Sequence, residues 1–392
     1  MMYNDNDLSY ILNHLGEERD DYFQAVAPPV VQSSNFVFNN LTDFRQKFAS
    51  EYDQHVYTRG NNPTVAILRK KLAALEGTED CLVFSSGAAA VAAAVMSQVA
   101  AGDHIVCVSS PYTWTRLLLS EYLSRFGVST TFVDGRELSS LEAALRENTR
   151  LLYLESPNSM TFELQDLAGC AALAKARGII TAIDNSHCSP LFQQPHRLGI
   201  DLVIHSATKY LNGHSDVVAG VVCGSRQLLS QIFGGAYMTL GAVISPHDAA
   251  LIIRGLRTLP LRMQRSHESA LRVARWLEEQ PAVERVLHPL LPSFPQYQLA
   301  KQQMRGNGGL FSVYFRADTQ LKMENFINRL QRFLMAVSWG GHESLIMPMV
   351  GFYDVPGRPN GSQPYQLVRF YIGLEEPDWL IEDLAQALEA LG

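Results

Sequence analysis

From about residue 80 to residue 224, short apolar runs alternate with helix-length segments. No other feature restricts the fold as strongly. The runs cover 81–84, 104–108, 151–154, 179–183, 201–204 and 217–222. Each is strand-length, and its aliphatic content reads as a buried strand. Between them the chain predicts helices over 89–98, 115–126 and 164–176, the second closed by Gly127. Another helix follows Asn62-Pro63 and runs through Leu68, Leu72 and Leu75 to Gly77. Alternating strands and helices predict an α/β domain, with a mostly parallel sheet between two helical layers. Such sheets bind ligands beyond the carboxyl ends of their strands.

The rhythm changes on both sides of this region. The first 60 residues carry little periodicity beyond the stiff Pro28-Pro29-Val30-Val31 and a short Phe36-Val37-Phe38 piece, which reads as a strand or an arm. So long an irregular start makes most sense wrapped around a partner subunit. After a long helical stretch from residue 247 come strands at 310–315 and 366–371, a helix at 326–333 and a last helix from Pro377. These predict a smaller C-terminal α+β domain. The expected division is an N-terminal arm (1–60), a large domain (61–255) and a C-terminal domain with a bridging helix (256–392).

Composition removes several function classes. Hydrophobic content of 47% and charged content of 18% are those of an ordinary globular protein, and a net charge of -7 offers no general basic field for nucleic acid. Cys81, Cys107, Cys170, Cys188 and Cys223 are odd in number, widely spaced and without a CxxC pair, which predicts a reducing cytoplasm rather than a disulfide framework. No metal-ligand cluster is evident. The start, Met1-Met2-Tyr3-Asn4-Asp5, is unlike a signal peptide, and no apolar stretch reaches membrane-spanning length.

The chemistry concentrates at His205-Ser206-Ala207-Thr208-Lys209-Tyr210, just after a buried run. A lysine near a buried strand is costly unless something occupies its amine, and an aldehyde would do so as a Schiff base. Ser206 and Thr208 can hold a phosphate. Asp184, closing the preceding strand, can pair with a protonated pyridine nitrogen. Together they point to pyridoxal phosphate, although a lone lysine is most often a solvated charge. Ser85-Ser86-Gly87-Ala88, between a strand and an alanine-rich helix, makes a natural anion site or an ordinary tight turn. Tyr112, just past a strand, is either a packed core tyrosine or a ring-stacking one. Arg59 is either a solvated residue beside a helix cap or an anion ligand, and Arg369 either an edge charge or a two-point carboxylate ligand.

These segments resemble the cystathionine synthase and lyase family of pyridoxal phosphate enzymes over about residues 57–375, most nearly its bacterial cystathionine beta-lyases. The resemblance implies a fold-type-I enzyme with Lys209 as catalytic and cofactor lysine. It assigns the phosphate to Gly87, Ala88, Ser206 and Thr208, with Tyr57 and Arg59 reaching across from a neighbouring subunit. It places Tyr112 over the ring with a catalytic role, and Asp184 at the ring nitrogen with Glu155 behind. Asn158, Ser338, Trp339 and Arg369 take the substrate end. It further implies a homo-oligomer with shared sites, a tetramer built as a dimer of dimers.

The resemblance is uneven. The beta-lyases carry a second arginine where this chain has Gly60, and an acid where it has Arg116. Asn62-Pro63-Thr64 looks like the gamma-synthase and gamma-lyase branch, yet the Gly-Gly of gamma-synthases after the stacking tyrosine is missing. Trp114 and Arg116 therefore define an unusual distal pocket, with Trp114 favouring an apolar sulfur substituent. On the strength of Trp339 and the C-terminal resemblance, the expected activity is a carbon–sulfur beta-lyase acting on cystathionine or an S-substituted cysteine. The alternatives are gamma chemistry on O-acylhomoserine, methionine or cystathionine, and a non-catalytic interaction protein retaining the fold.

Overall fold

The apolar runs do become strands. The computed structural model describes residues 7–392, and its larger sheet contains β1 (Asp80–Phe84), β2 (His104–Val108), β3 (Ser129–Val133), β4 (Thr149–Glu155), β5 (Ile180–Asp184), β6 (Leu202–Ser206) and β7 (Gly220–Gly224). Their order is β1-β7-β6-β5-β4-β2-β3. From β6 to β3 all neighbours are parallel, while β7 runs antiparallel to both β1 and β6. Helices pack on the sheet with the expected stops. Asn62 caps Pro63–Glu76 by accepting the Thr64 N–H at 3.0 Å, and Gly77 ends it at φ 79°.

Three departures have physical causes. β3 carries Ser129-Thr130-Thr131 at the sheet margin with no fully buried residue, so it lacks the apolar run that marks a strand. The helix expected over 115–126 is broken into Thr113–Leu117, a wide π turn at Leu118–Tyr122 and a 3₁₀ turn at Leu123–Phe126. Phe36-Val37-Phe38 forms no strand; Asn35 makes a single bridge to Tyr57. The irregular start instead folds as short helices at Leu8–Asn13 and Leu41–Ala49. Buried Lys71 anchors it, with Nζ 3.0 Å from Glu17 and donating to the carbonyls of Ile11 at 2.9 Å and Leu12 at 3.1 Å.

By contact density the chain divides into two units. The first ends at Thr258 and the second comprises Leu259–Gly392 with two short insertions, Pro157–Leu164 and Gly213–Ser215. The second unit has its own sheet of β8 (Val283–Leu287), β9 (Leu310–Phe315), β10 (Leu334–Met335), β11 (Leu345–Pro348) and β12 (Leu367–Tyr371), ordered β10-β11-β12-β9-β8. Phe311, Phe315, Phe326, Phe370, Leu380 and Leu384 fill its core, and the helices Leu259–Glu278 and Pro377–Leu388 belong to the same unit. This is the fold-type-I plan, a three-layer α/β domain with a smaller C-terminal α+β domain. Among the described residues no helix is long and apolar enough to cross a membrane.

Candidate active site

Strand register gathers several of the predicted residues within the first unit. Phe84 and Ser206 both pair with Gly220, Asp184 pairs with Ile204, and Glu155 pairs with Asp184. The carboxyl ends of β1, β6, β5 and β4 therefore lie along one sheet edge, and the loops beyond them carry the predicted residues. After β6 the chain turns tightly, with the Lys209 N–H donating to the Ser206 carbonyl at 3.1 Å and the Asn212 N–H to that of Ala207 at 3.0 Å. Ser206, Thr208 and Lys209 are half-buried there.

The helix Gly87–Met96 starts beside this turn. Ser86 caps it by accepting the Ala89 N–H at 3.1 Å. A Cβ added at Gly87 would stand 3.0 Å from the Ser206 Cβ and Oγ, and one at Gly220 only 2.2 Å from the Ser86 carbonyl. Glycine at both positions keeps a narrow gap of bare backbone N–H groups opposite a serine hydroxyl, which suits a phosphate. Thr208 is tied to Ala219, donating to its carbonyl at 3.2 Å and accepting its N–H at 3.0 Å.

Asp184 is half-buried at the end of β5. Ser186, which the sequence reading passed over, donates to Asp184 Oδ1 twice, through its N–H at 3.0 Å and its hydroxyl at 2.5 Å. The Ser206 N–H in turn donates to Ser186 Oγ at 2.6 Å. Beneath this edge Tyr153 is fully buried. Burial, followed by the Asp184 and Glu155 charges, pushes its hydroxyl well above the ordinary range, so it remains neutral.

Glu155 accepts the Tyr112 N–H at 2.7 Å and so fixes where the Thr113–Leu117 helix begins. Tyr112 and Trp114 both present exposed rings, Trp114 at 63%. Arg116 is already engaged, donating to the Ser109 carbonyl at 2.9 Å with its guanidinium 4.2 Å from the centre of the Phe132 ring. Arg59 lies over the Tyr57 ring at 5.3 Å, and Tyr57 is exposed.

The second unit carries the other predicted group. Arg369 on β12 is 7% exposed and donates to the Ser159 carbonyl at 3.1 Å and the Ser338 carbonyl at 3.4 Å. Ser338 adopts φ 81°, a left-handed conformation that turns the backbone ahead of buried Trp339. Asn158 holds its own loop, its side-chain oxygen accepting the N–H groups of Met160, Thr161 and Phe162 at 2.8–3.1 Å.

A lysine and two hydroxyls at one strand end, a glycine-cleared helix start beside them and an aspartate at the next strand end form a donor set that suits pyridoxal phosphate. The fold and this set define a fold-type-I pyridoxal phosphate enzyme. Residues 10–389 match the family of Cys/Met metabolism PLP-dependent enzymes, and the chain belongs to that family. It is 40% identical to an L-methionine gamma-lyase of Pseudomonas putida over 382 residues, covering 96% of each chain. It is 37% identical to the chloroplastic cystathionine gamma-synthase 1 of Arabidopsis thaliana, covering 96% of this chain and 68% of that protein. The crystal structure of metB from Corynebacterium glutamicum superposes with a TM-score of 0.92 at 33% identity, covering all of both chains.

Family membership makes the chain a pyridoxal-phosphate-dependent carbon–sulfur lyase of amino-acid metabolism, which sets aside the non-catalytic alternative. The comparisons also correct the sequence reading. The expected affinity with cystathionine beta-lyases, and the beta-lyase activity that rested on it, are overturned, because the relatives carry gamma names. Trp339 is buried and by itself says nothing about which carbon reacts.

Proposed function

We propose that this enzyme works at the γ-carbon of an amino acid, eliminating a thiol from methionine or a similar S-substituted homocysteine to leave 2-oxobutanoate and ammonia. The full-length similarity to L-methionine gamma-lyases carries this reading. Gly60 and Asn62-Pro63-Thr64 agree with it, since both depart from the beta-lyase pattern. Replacement at the same carbon is the second reading, favoured by the similarity to a cystathionine gamma-synthase.

When bound, pyridoxal phosphate supplies an electron sink beside the amino-acid nitrogen. We assign its phosphate to Ser206, Thr208 and the backbone at Gly87 and Ala88, joined by Tyr57 and Arg59, and its ring nitrogen to Asp184. Lys209 Nζ holds the cofactor and moves protons. Expulsion from the γ-carbon needs proton removal at the α-carbon and then the β-carbon, and one mobile amine serves both. Tyr112 covers the ring, with Glu155 fixing its backbone. Arg369, with Ser338, Trp339 and Asn158, takes the substrate carboxylate. Trp114 and Arg116 border the leaving group, and the exposed indole favours an apolar one. We expect kcat/KM for methionine to exceed that for an S-alkylcysteine by at least about tenfold, and Trp114→Ala to lower kcat/KM for methionine more than for cystathionine, whose leaving group is charged. A preference for the S-alkylcysteine would sink the proposal.

We further propose a cytoplasmic homo-oligomer with shared sites, a tetramer built as a dimer of dimers. All five cysteines are free and buried, which fits that compartment. The helix Leu41–Ala49 buries no residue, and Phe38, just before it, packs against its Phe44 and Phe48, with Val37 88% exposed nearby. Such an apolar arm calls for a second copy of the chain. Mixing Lys209→Ala chains with Arg59→Ala chains should restore part of the activity, since a hybrid assembly regains one intact site. Full activity in a species that light scattering shows to be monomeric would rule the shared site out.

A further inference from the structure

Two of the proposed cofactor-binding residues, on adjacent strands, meet through a side chain given no role so far. Ser186 places two donors on one oxygen of Asp184, at 2.5 and 3.0 Å, and its hydroxyl oxygen accepts the Ser206 N–H at 2.6 Å. The hydroxyl is thus donor to the group assigned to the ring nitrogen and acceptor from the backbone of a residue assigned to the phosphate. Register supports the link. Asp184 pairs with Ile204, and the Asn185 N–H donates to the Ile204 carbonyl at 2.8 Å, so the two strand ends run side by side as far as Ser186 and Ser206.

We propose that Ser186 is a positioning residue for the cofactor. It fixes the orientation of the Asp184 carboxylate and the spacing between that carboxylate and the phosphate cradle at Ser206. The inference rests on the assignment of Asp184 and Ser206 above. Both donors fall on Oδ1, which sets the plane of the carboxylate and leaves Oδ2 outside these bonds. A carboxylate held in this way presents its charge in one direction, whereas one free to rotate about χ2 spreads it over several. The hydroxyl, rather than the volume of the side chain, is the working part, so threonine should serve and alanine should not.

The test uses purified holoenzyme of wild type, Ser186→Ala, Ser186→Thr and Asp184→Asn. It reads two properties besides turnover: cofactor retention on dialysis, and the pH titration of the bound cofactor's visible absorption. Loss of a charge-assisted hydrogen bond predicts roughly 10- to 100-fold weaker retention in Ser186→Ala. It also predicts a titration midpoint moved by about one pH unit, with Ser186→Thr close to wild type in both. Ser186→Ala matching wild type, or Ser186→Thr as impaired as alanine, overturns the inference. Asp184→Asn separates two failures. No effect there overturns the reading of Asp184 and this inference with it. A large effect there beside a silent Ser186→Ala overturns the inference alone.

Discussion

Lys209→Ala is expected to lower turnover by at least about 10³-fold while leaving the fold intact. Two functions are lost together. The amine that holds the cofactor disappears, and so does the base for proton transfer, which alone contributes about 10²- to 10⁴-fold. The fold should survive because Lys209 is half-buried at the end of a turn set by backbone bonds from Lys209 to Ser206 and from Asn212 to Ala207, which alanine keeps. Borohydride reduction of the wild type, followed by peptide mass mapping, should place the cofactor mass on the peptide containing Lys209. The same mass solely on another lysine would refute the assignment. Added primary amines should restore some rate to the alanine variant, because the missing group is a mobile base rather than a structural prop.

Arg369→Ala is the second large effect, about 10²- to 10³-fold in kcat/KM, or roughly 3–4 kcal/mol, for loss of a desolvated guanidinium–carboxylate contact. Arg369 is nearly buried on β12, and its bonds to the Ser159 and Ser338 carbonyls engage both terminal nitrogens from the side of the protein. A guanidinium keeps further N–H donors in the same plane for a bidentate partner. Lysine offers a point charge without that fork, so Arg369→Lys should recover little. If the carboxylate role is right, KM rises more than kcat falls, and amino acids lose affinity while cofactor retention does not. Parallel loss of cofactor and substrate would instead mark Arg369 as structural.

Much of the first unit was legible because its strands are buried on both faces and carry unbroken apolar runs, with caps such as Asn62 and Gly77 marking the helix that precedes them. β3 was not legible, since a half-exposed Ser-Thr-Thr strand has no apolar signature. The break at Leu118–Tyr122 was not either, because a single π turn shifts the spacing by only about one residue and helical segments flank it on both sides. In the site, Lys209, Ser206 and Asp184 stood out as chemistry at strand ends, whereas Ser186 did not. A serine two residues past an aspartate is a common turn, and only the register of β5 against β6 brings its hydroxyl to the Ser206 N–H. The reacting carbon was misjudged for a different reason. Asn62-Pro63-Thr64 points to the gamma branch and Gly60 away from the beta-lyases, whereas Trp339 points the other way. Which carbon loses its substituent depends on whether a second proton can be removed, and no single residue announces that.

Cystathionine decides the central claim in one experiment, because it carries the same sulfur on a β-carbon at one end and a γ-carbon at the other. Supplied at high concentration to the holoenzyme, with products separated and weighed, it should give cysteine, 2-oxobutanoate and ammonia. Homocysteine with pyruvate as the dominant pair would show that the β-carbon reacts, and would contradict the account.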